Sequence, residues 1–486
     1  MQPVDVLKRY FGFDAFRTSQ QQIIDHVLSG EHALVIMPTG MGKSLCYQIP
    51  AILLADSNPE NLTIVISPLI ALMKDQVDGL LQRGIDATFI NSSLGRDERE
   101  KRYRNVEAGK YSLLYVTPER FRKDEFLAAI SQRTVRLLAV DESHCISEWG
   151  HDFRPDYTRL EEFRQILKNP TTIALTATAT PEVQADIVKQ LGLGSSEVKL
   201  FHEGIDRPNL HLTVEQVWDD DDKLAAIIRV IEKPELQDGS GIVYFSLIKT
   251  LERFSDYLVS RQIDHVCYHG QLDRTTRRQV QNQFMRPGRC IALATNAFGM
   301  GIDKSDIRFV LHGEIPGSME SYYQEIGRAG RDGKTSQCTL LYDEADLAIQ
   351  MQFLEWQNPD ADFYQRVYHH LTEHNEQIRA FGLEWLNDQI QKRSKHDFRL
   401  QTVLSMLDRH DVVLDDMPPG CFDVQKPLPE IFRDQERLDR KRLGEQKKLY
   451  ALVQYVREAD NKKAFIHEYF GIPLSGADQP EVDDEV

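Results

Sequence analysis

Cysteines and long apolar runs are both scarce in this chain. The 486 residues include only six cysteines, scattered as Cys46, Cys145, Cys267, Cys290, Cys338 and Cys421. None forms a Cys-x-x-Cys pair and no signal segment is visible, so we expect a reducing compartment, the cytoplasm, and not a disulfide scaffold. No apolar run approaches the roughly 20 residues of a membrane span, which argues against a membrane protein.

Positive charge is scarce as well. The chain has 58 Lys and Arg residues against 75 Asp and Glu, a formal net charge of −17, and a pI near 5.4. This balance opposes the basic footprint usual in nucleic-acid-binding proteins. A basic groove is still compatible with an acidic exterior, but non-specific affinity for nucleic acid should be modest and strongly salt-sensitive.

Short apolar runs alternate with helix-like segments. The runs are Leu34–Met37, Thr63–Ser67, Leu113–Val116, Leu137–Val140 and Ile173–Leu175. This alternation predicts an α/β fold with a doubly wound parallel sheet. A second series starts near Gly241, and the segment Asp206–Leu210 between the two series is the predicted lobe junction. The acidic run Asp219–Asp222 predicts a solvated turn or a helix start. The length allows two to four domains.

A glycine-rich loop ending in Gly-Lys-Ser follows the first apolar run. In such a loop Gly40 and Gly42 let the backbone approach phosphates, Lys43 supplies a positive charge, and the Ser44 hydroxyl is a ligand for Mg²⁺. The strict pattern has a glycine where this chain has Met37. We predict an ATP site, with Mg²⁺ bound through ATP, formed by Thr39, Gly40, Met41, Gly42, Lys43 and Ser44.

Two acidic residues follow the fourth apolar run. Ligands of open α/β sheets bind at the carboxyl edge of the strands, where Asp141 and Glu142 would lie. Asp141 is predicted to hold Mg²⁺, and Glu142 to orient or deprotonate the water that attacks the γ-phosphate. A solvated surface turn is the alternative, and the glycine-rich loop makes it less favoured.

Two arginines lie well downstream, separated by small residues. Arg328 and Arg331 are three positions apart, a spacing that places two side chains on one face of a helix. Because Gly327, Ala329 and Gly330 permit close approach of another surface, we predict that Arg331 completes the ATP site as an arginine finger, with Arg328 beside it. Such a group is worth about 10³- to 10⁵-fold in rate in other phosphoryl-transfer enzymes.

Together these motifs resemble the RecQ family of superfamily 2 DNA helicases over the first two thirds of the chain. The segment Phe11–Gln20 is similar to the family's adenine-sensing segment. The resemblance implies that Phe13 stacks on the base while Arg17 and Gln20 read its edge. It also implies a motif at Thr176–Thr178 that couples hydrolysis to lobe movement.

Several further segments resemble the family's DNA-binding motifs. Two of them, Ser67–Gln76 and Tyr115–Arg120, resemble motifs that contact the DNA backbone, which implies a contact by Ser67. The segment His144–Tyr157 is similar to the family's aromatic-rich loop, which couples DNA contact to ATP hydrolysis. The predicted DNA contacts in this loop are Trp149, His151, Phe153 and Arg154. Aromatic stacking on bases and charge pairing with phosphate suit those residue types.

The second lobe carries similar motifs at Tyr268–Gln271 and Ile291–Lys304. The resemblance implies that Asp303 faces the nucleotide cleft and that Thr295 faces DNA. One segment departs from the family, because Phe245 and Ile248 stand where a Cys-x-Ser-Arg turn is usual. We therefore assign no DNA contact there.

The last third resembles the family less. RecQ proteins typically carry a helical platform with four zinc-ligating cysteines, but here Asn461 stands where a first cysteine would be. Tetrahedral zinc needs about four nitrogen or sulfur ligands, so we predict no zinc. His467 is interpreted as a surface residue. Packing is expected to replace the metal, through Phe465, Tyr469 and Phe470.

An additional segment from 363 to 414 precedes this platform. Its sequence predicts two helices followed by a short strand, an order like that of a winged helix. Two interpretations of this segment are equally favoured. It presents a DNA-facing edge, or it is a structural helical insert with a solvated basic turn. The basic residues concerned are Lys392, Arg393, Lys395 and Arg399. The acidic end, residues 481–486, is expected to be a disordered tail.

The sequence thus predicts two tandem RecA-like lobes followed by mostly helical accessory regions. The expected divisions are a first lobe at 1–206, a second lobe at 207–346, an accessory segment at 347–425, a zinc-free platform at 426–475 and a tail at 476–486. The expected function is that of a monomeric ATP-dependent DNA helicase, acting on single-stranded and on tailed or branched duplex DNA and associated with the nucleoid if bacterial. The resemblance implies 3′ to 5′ polarity and a role in repair or recombination. Alternatives are a translocase that does not separate strands, an RNA helicase, and a non-catalytic DNA-binding scaffold.

Overall fold

The computed structural model describes residues 1–38, 40–68, 70–147, 157, 159–299, 302–390, 397–416, 421–458 and 460–472. The chain divides into two compact units, Met1–Tyr342 with Tyr455–Val486, and Asp343–Gln454. Within the described ranges no helix is long and apolar enough to cross a membrane. The finer domain divisions at 206, 346 and 425 stay predictions.

A seven-stranded parallel sheet forms the core of the first lobe. Its strands are β1 His32–Ile36, β2 Asn61–Ile66, β3 Ala87–Ile90, β4 Leu113–Val116, β5 Thr134–Val140, β6 Thr171–Thr176 and β7 Val198–His202. They lie in the order β3-β4-β2-β5-β6-β1-β7, and every pairing is parallel. Because β5, β6 and β1 are neighbours, the loops that follow them share one carboxyl edge, where ligands of such sheets bind.

Alternate residues of the first strand enter two different cores. Ala33 and Val35 pack in one hydrophobic cluster, whereas Leu34 and Ile36 pack in another. This period of two is that of a strand covered on both faces, as parallel sheets require. The covering helices of this lobe are α1 Pro3–Val6, α2 Gln20–Leu28, α3 Leu45–Ser57, α4 Ile70–Gln82, α5 Arg96–Glu107, α6 Asp124–Ser131, α7 Leu160–Ile166 and α8 Pro181–Gln190. All five predicted strands of this lobe are confirmed.

A second parallel sheet of six strands forms the second lobe. The strands are β8 Leu210–Gln216, β9 Ser240–Tyr244, β10 Val266–Tyr268, β11 Ile291–Ala294, β12 Ile307–His312 and β13 Ser336–Tyr342. Their order is β10-β11-β9-β12-β13-β8. The helices are α9 Asp220–Ile231, α10 Ile248–Ser260, α11 Arg274–Met285 and α12 Met319–Ile326. The Asp219 side chain accepts a hydrogen bond from the Asp222 N–H at 2.9 Å, so the acidic run is a helix start.

The unit Asp343–Gln454 is mainly helical. It contains α13 Asp346–Gln357, α14 Ala361–Glu373, α15 Asn375–Ile390, α16 Arg399–Arg409, β14 Val413–Asp416, β15 Cys421–Val424 and most of α17 Gln435–Arg457. β14 and β15 pair as an antiparallel hairpin. The predicted order of helix, helix and strand is confirmed, although α15 is interrupted at Gly382, which has φ 77° and ψ −175°. Of the four basic residues predicted for its edge, Lys392, Arg393 and Lys395 lie outside the described residues.

The final helix, α18 Lys462–Tyr469, belongs to the first unit. Asn461 caps it, because its side-chain oxygen accepts hydrogen bonds from the N–H groups of Lys463 at 3.1 Å and Ala464 at 3.0 Å. The residue that stands in place of a cysteine therefore starts the helix. Caps of this kind are worth about 1 kcal/mol.

Candidate nucleotide site

The loop between β1 and α3 has the geometry of a phosphate cradle. Gly40 and Gly42 have φ angles of 84° and 83°, in the left-handed region that favours glycine. A Cβ atom at Gly42 would lie 2.6 Å from Nε2 of Gln20, and one at Gly40 would lie 3.3 Å from Cγ of Arg331. Backbone conformation and close approach thus both require glycine here. Thr39 lies outside the described residues.

Lys43 is held inside this loop. Its ammonium Nζ donates a hydrogen bond to the Met37 carbonyl at 3.0 Å. Burial lowers the Lys43 pKa, while the carboxylates of Glu142 and Asp141 act to raise it. Met37 is itself completely buried in the hydrophobic core, which explains why this position is not the glycine of the strict pattern.

The two predicted carboxylates lie at the adjacent strand end. Asp141 is buried, and its Oδ1 accepts a hydrogen bond from the Glu142 N–H at 3.0 Å. Burial raises the pKa of Asp141, the Glu142 carboxylate raises it further, and Lys43 opposes both. A cation would stabilise the charged form of this carboxyl. Because carboxylate and hydroxyl oxygens are ligands that Mg²⁺ prefers, Asp141 and Ser44 fit that ion.

Glu142 has a strained backbone. Its φ of 50° and ψ of 47° lie in the left-handed region, which costs about 1 to 3 kcal/mol for a residue other than glycine and is common at functional sites. The carboxylate Oε2 lies 3.4 Å from Nδ1 of His144. The same ring nitrogen lies 3.0 Å from Oγ1 of Thr176.

Thr176 joins this network to the segment predicted to couple hydrolysis to lobe movement. Its hydroxyl donates to the Thr178 carbonyl at 3.0 Å, and it also accepts from the Thr178 N–H at 3.2 Å. The catalytic strand end and the Thr176–Thr178 segment are thus connected through His144. We predicted no role for His144 in the nucleotide site, although it lies only two residues after Glu142.

The predicted adenine-sensing segment lies against the same loop. The Gln20 side chain donates to the carbonyls of Met41 at 2.9 Å and Gly42 at 3.3 Å, and it accepts from the Arg17 N–H at 2.9 Å. Arg17 in turn donates from Nη1 to the Gly40 carbonyl at 3.3 Å. Phe13 is 52% exposed, so its ring is available for stacking. The structure therefore brings Arg17 and Gln20 to the phosphate loop.

The prediction that the two arginines share a helix face is wrong. Helix α12 ends at Ile326, and the residues from Gly327 onward form turns in which Gly330 has a φ of 57°. Gly327 is the C-cap, with φ −61° and ψ −8°, and the left-handed Gly330 then turns the chain without steric cost. The arginines therefore project from a compact turn and not from a helix.

Both arginines bind residues of the second-lobe segment Ile291–Lys304. Arg328 donates to the Gly299 carbonyl, and Arg331 donates to the carboxylate of Asp303. The Arg331 side chain is only 8% exposed, whereas Asp303 is 83% exposed. The aliphatic stem of Arg331 lies against Gly40, so a second-lobe side chain meets the nucleotide loop of the first lobe.

The predicted DNA contacts either lie outside the described residues or are buried. Trp149, His151, Phe153 and Arg154 lie outside the described residues. Ser67 and Thr295 are described, but only 2% and 7% of their surfaces are exposed. Contact of either hydroxyl with DNA stays a prediction.

One departure from the family pattern has a structural explanation. Phe245 is buried and packs on Phe254 with ring centroids 5.0 Å apart.

The prediction that His467 is a surface residue is wrong, because α18 packs this ring inward and leaves it only 5% exposed. Within the described ranges no group of three His, Cys, Asp or Glu residues is placed to hold a metal ion. The absence of zinc stays a prediction.

Comparison with known proteins agrees with this geometry. Residues 17–187 match the DEAD/DEAH box helicase family, and residues 222–333 match the helicase conserved C-terminal domain. A protein of Pasteurella multocida named ATP-dependent DNA helicase RecQ is 37% identical over 473 residues, which cover 95% of this chain and 68% of the relative. The chain belongs to the RecQ family.

A second RecQ relative, from Bacillus subtilis, is 44% identical over 352 residues, covering 72% of this chain and 58% of the relative. The chain thus spans between about half and about two thirds of the length of these RecQ proteins. The crystal structure of the helicase MrfA bound to DNA and AMPPNP superposes with a TM-score of 0.60 at 17% identity, covering 72% of this chain and 52% of MrfA. That likeness supports the two-lobed helicase fold.

Proposed function

We propose that this RecQ-family chain is an ATP-dependent DNA helicase that moves along single-stranded DNA and unwinds duplexes with 3′ to 5′ polarity, in DNA repair and recombination. One observation carries the proposal. Arg331, from the second lobe, packs against Gly40 in the nucleotide loop of the first. An ATP site that needs groups from both lobes is complete only while the lobes are close, so each turnover is linked to lobe movement.

The residues around this contact divide the work of phosphoryl transfer. Lys43 and the loop N–H groups would bind the phosphates, and Asp141 and Ser44 would hold Mg²⁺, which neutralises phosphate charge when bound with ATP. Glu142 would orient the attacking water, and the Arg331 guanidinium would stabilise the charge that develops in the transition state. His144 would report the state of Glu142 to Thr176.

Substrate recognition is proposed for surfaces on either side of this site. Phe13, Arg17 and Gln20 would bind adenine. The aromatic-rich loop would contact single-stranded DNA through Trp149, His151, Phe153 and Arg154, with Ser67 and Thr295 nearer the backbone. We propose that the chain acts as a monomer in the cytoplasm, on single-stranded and tailed or branched duplex DNA.

Steady-state ATP hydrolysis with single-stranded DNA or RNA of the same sequence tests this function. DNA should stimulate hydrolysis more strongly than RNA, and Lys43→Ala should abolish turnover. Lys101→Ala is the matched control, because Lys101 lies on α5 outside the predicted ATP and DNA motifs, is 66% exposed, and pairs with its surface neighbour Glu98 at 3.9 Å. Stronger stimulation by RNA would favour an RNA helicase. Absence of hydrolysis by the wild-type chain would favour a DNA-binding scaffold.

A further inference from the structure

Two side chains of the predicted lobe junction reach the turn at residues 327–333, which carries Arg328 and Arg331 and is called the arginine turn below. Arg207 donates from Nη1 to the carbonyl of Gly327 at 3.3 Å, and from Nη2 to those of Ala329 at 2.6 Å and Gly330 at 3.0 Å. Asn209 donates from Nδ2 to the carbonyls of Gly330 at 2.8 Å and Lys334 at 2.9 Å. The junction and the turn are thus tied together by side chains.

The chemistry of the turn suits this arrangement. Buried backbone carbonyls need hydrogen-bond donors. Arg207 supplies donors to three buried carbonyls beyond the end of α12, because its planar fork addresses several carbonyls at once. A single point charge such as a lysine ammonium lacks this geometry.

The turn is also pressed closely onto Asn209. A Cβ atom at Gly330 would lie 2.3 Å from Nδ2 of Asn209 and 2.8 Å from the Lys334 carbonyl. Gly330 immediately precedes Arg331, whose side chain lies against Gly40. Displacement of Gly330 would therefore move the arginine relative to the nucleotide loop.

We propose that Arg207 and Asn209 are positioning residues for Arg331, which set the arginine turn against the nucleotide loop by holding its carbonyl groups. We assign neither residue a contact with the phosphates. The proposal rests on the proposed ATPase function, in which Arg331 stabilises the transition state. Misplacement of a catalytic group by about 1 Å costs up to about 10²-fold in rate.

Single-turnover ATP hydrolysis with saturating single-stranded DNA tests the proposal, because it resolves the low hydrolysis rates of impaired variants. Arg207→Lys and Asn209→Ala should each lower the rate by about 10-fold or more, with the ATP concentration at half-maximal rate changed less than about 3-fold. In an Arg331→Ala background the same substitutions should have little further effect, since they act through the arginine that is missing.

Arg133→Lys is the matched control. Arg133 also spreads over backbone carbonyls, including Val106 at 3.0 Å and Pro59 at 2.9 Å, but it lies in the first lobe away from the arginine turn. It should lower the thermal denaturation temperature without a selective loss of rate. If Arg207→Lys unfolds below the assay temperature, the rates of Asn209→Ala in the wild-type and Arg331→Ala backgrounds test the proposal instead.

Equal rate losses in the wild-type and Arg331→Ala backgrounds would overturn the proposal, as would an unchanged rate in Arg207→Lys. A wild-type chain that hydrolyses no ATP would instead refute the proposed function. The two failures are therefore distinguishable.

Discussion

Truncation of Phe470 should release the final helix α18 from the lobes. Phe470 is 1% exposed, and its ring centroid lies 5.4 Å from that of Tyr323 on α12. The neighbouring Tyr469 hydroxyl donates to Oε1 of Glu320 at 2.8 Å. These contacts are the packing that we expect to take the place of a zinc site.

The burial of Phe470 sets the size of the expected loss of stability. Replacement of a buried Phe by Ala costs about 3 to 5 kcal/mol, and the lower end applies where neighbours can relax, as at the end of a helix. Since each 1.4 kcal/mol is a factor of ten, about 3 kcal/mol corresponds to roughly 10²-fold in the opening equilibrium of α18. Phe470→Ala should therefore speed α18 amide exchange by about that factor.

Native-state hydrogen exchange of residues 462–469, followed by mass spectrometry, measures this opening. Trp218→Ala is the control, because Trp218 is 77% exposed and its truncation should change stability by less than about 0.5 kcal/mol. An acceleration of less than about 3-fold in Phe470→Ala would show that other contacts, and not Phe470, hold α18 in place.

Further predictions concern the nucleotide and DNA sites. Lys43→Ala should abolish ATP turnover but leave DNA binding intact, and normal hydrolysis would reject the site assignment. Trp149→Ala or Phe153→Ala should weaken DNA stimulation more than basal hydrolysis; equal losses would indicate a structural role. Because burial and Glu142 raise the pKa of Asp141, its carboxyl protonates at a higher pH than an ordinary aspartate, so more Mg²⁺ should be needed for half-maximal hydrolysis as pH falls from about 8 to about 6. A Mg²⁺ requirement independent of pH would contradict this. Metal analysis of the purified chain should find no stoichiometric zinc, and one equivalent of bound zinc would contradict that prediction.

Much of the fold was predictable because buried parallel strands read as continuous apolar runs. Leu113–Val116 was predicted with the bounds that the structure has. β7 was missed because it is an edge strand with mixed polarity, in which Leu200 is 48% exposed. β8 was missed for a similar reason, since its residues alternate between polar and apolar and it pairs on one side with β13.

The candidate site was predictable where short motifs fix local geometry. The glycine-rich loop and the carboxylates after β5 lie where their spacing indicated. The conformation of the arginine turn was not predictable, because spacing alone does not distinguish a helix face from turns built on Gly327 and Gly330. Long-range partners were also missed, since nothing local in Arg207 indicates that it binds carbonyls about 120 residues away.

Strand displacement is the decisive test of the proposed helicase activity. Matched duplexes with a 3′ or a 5′ single-stranded tail should be compared with and without ATP, with Lys43→Ala as the inactive control. We expect ATP-dependent displacement of the 3′-tailed duplex and none of the 5′-tailed duplex. DNA-stimulated hydrolysis without displacement of either would contradict this expectation and favour a translocase that does not separate strands.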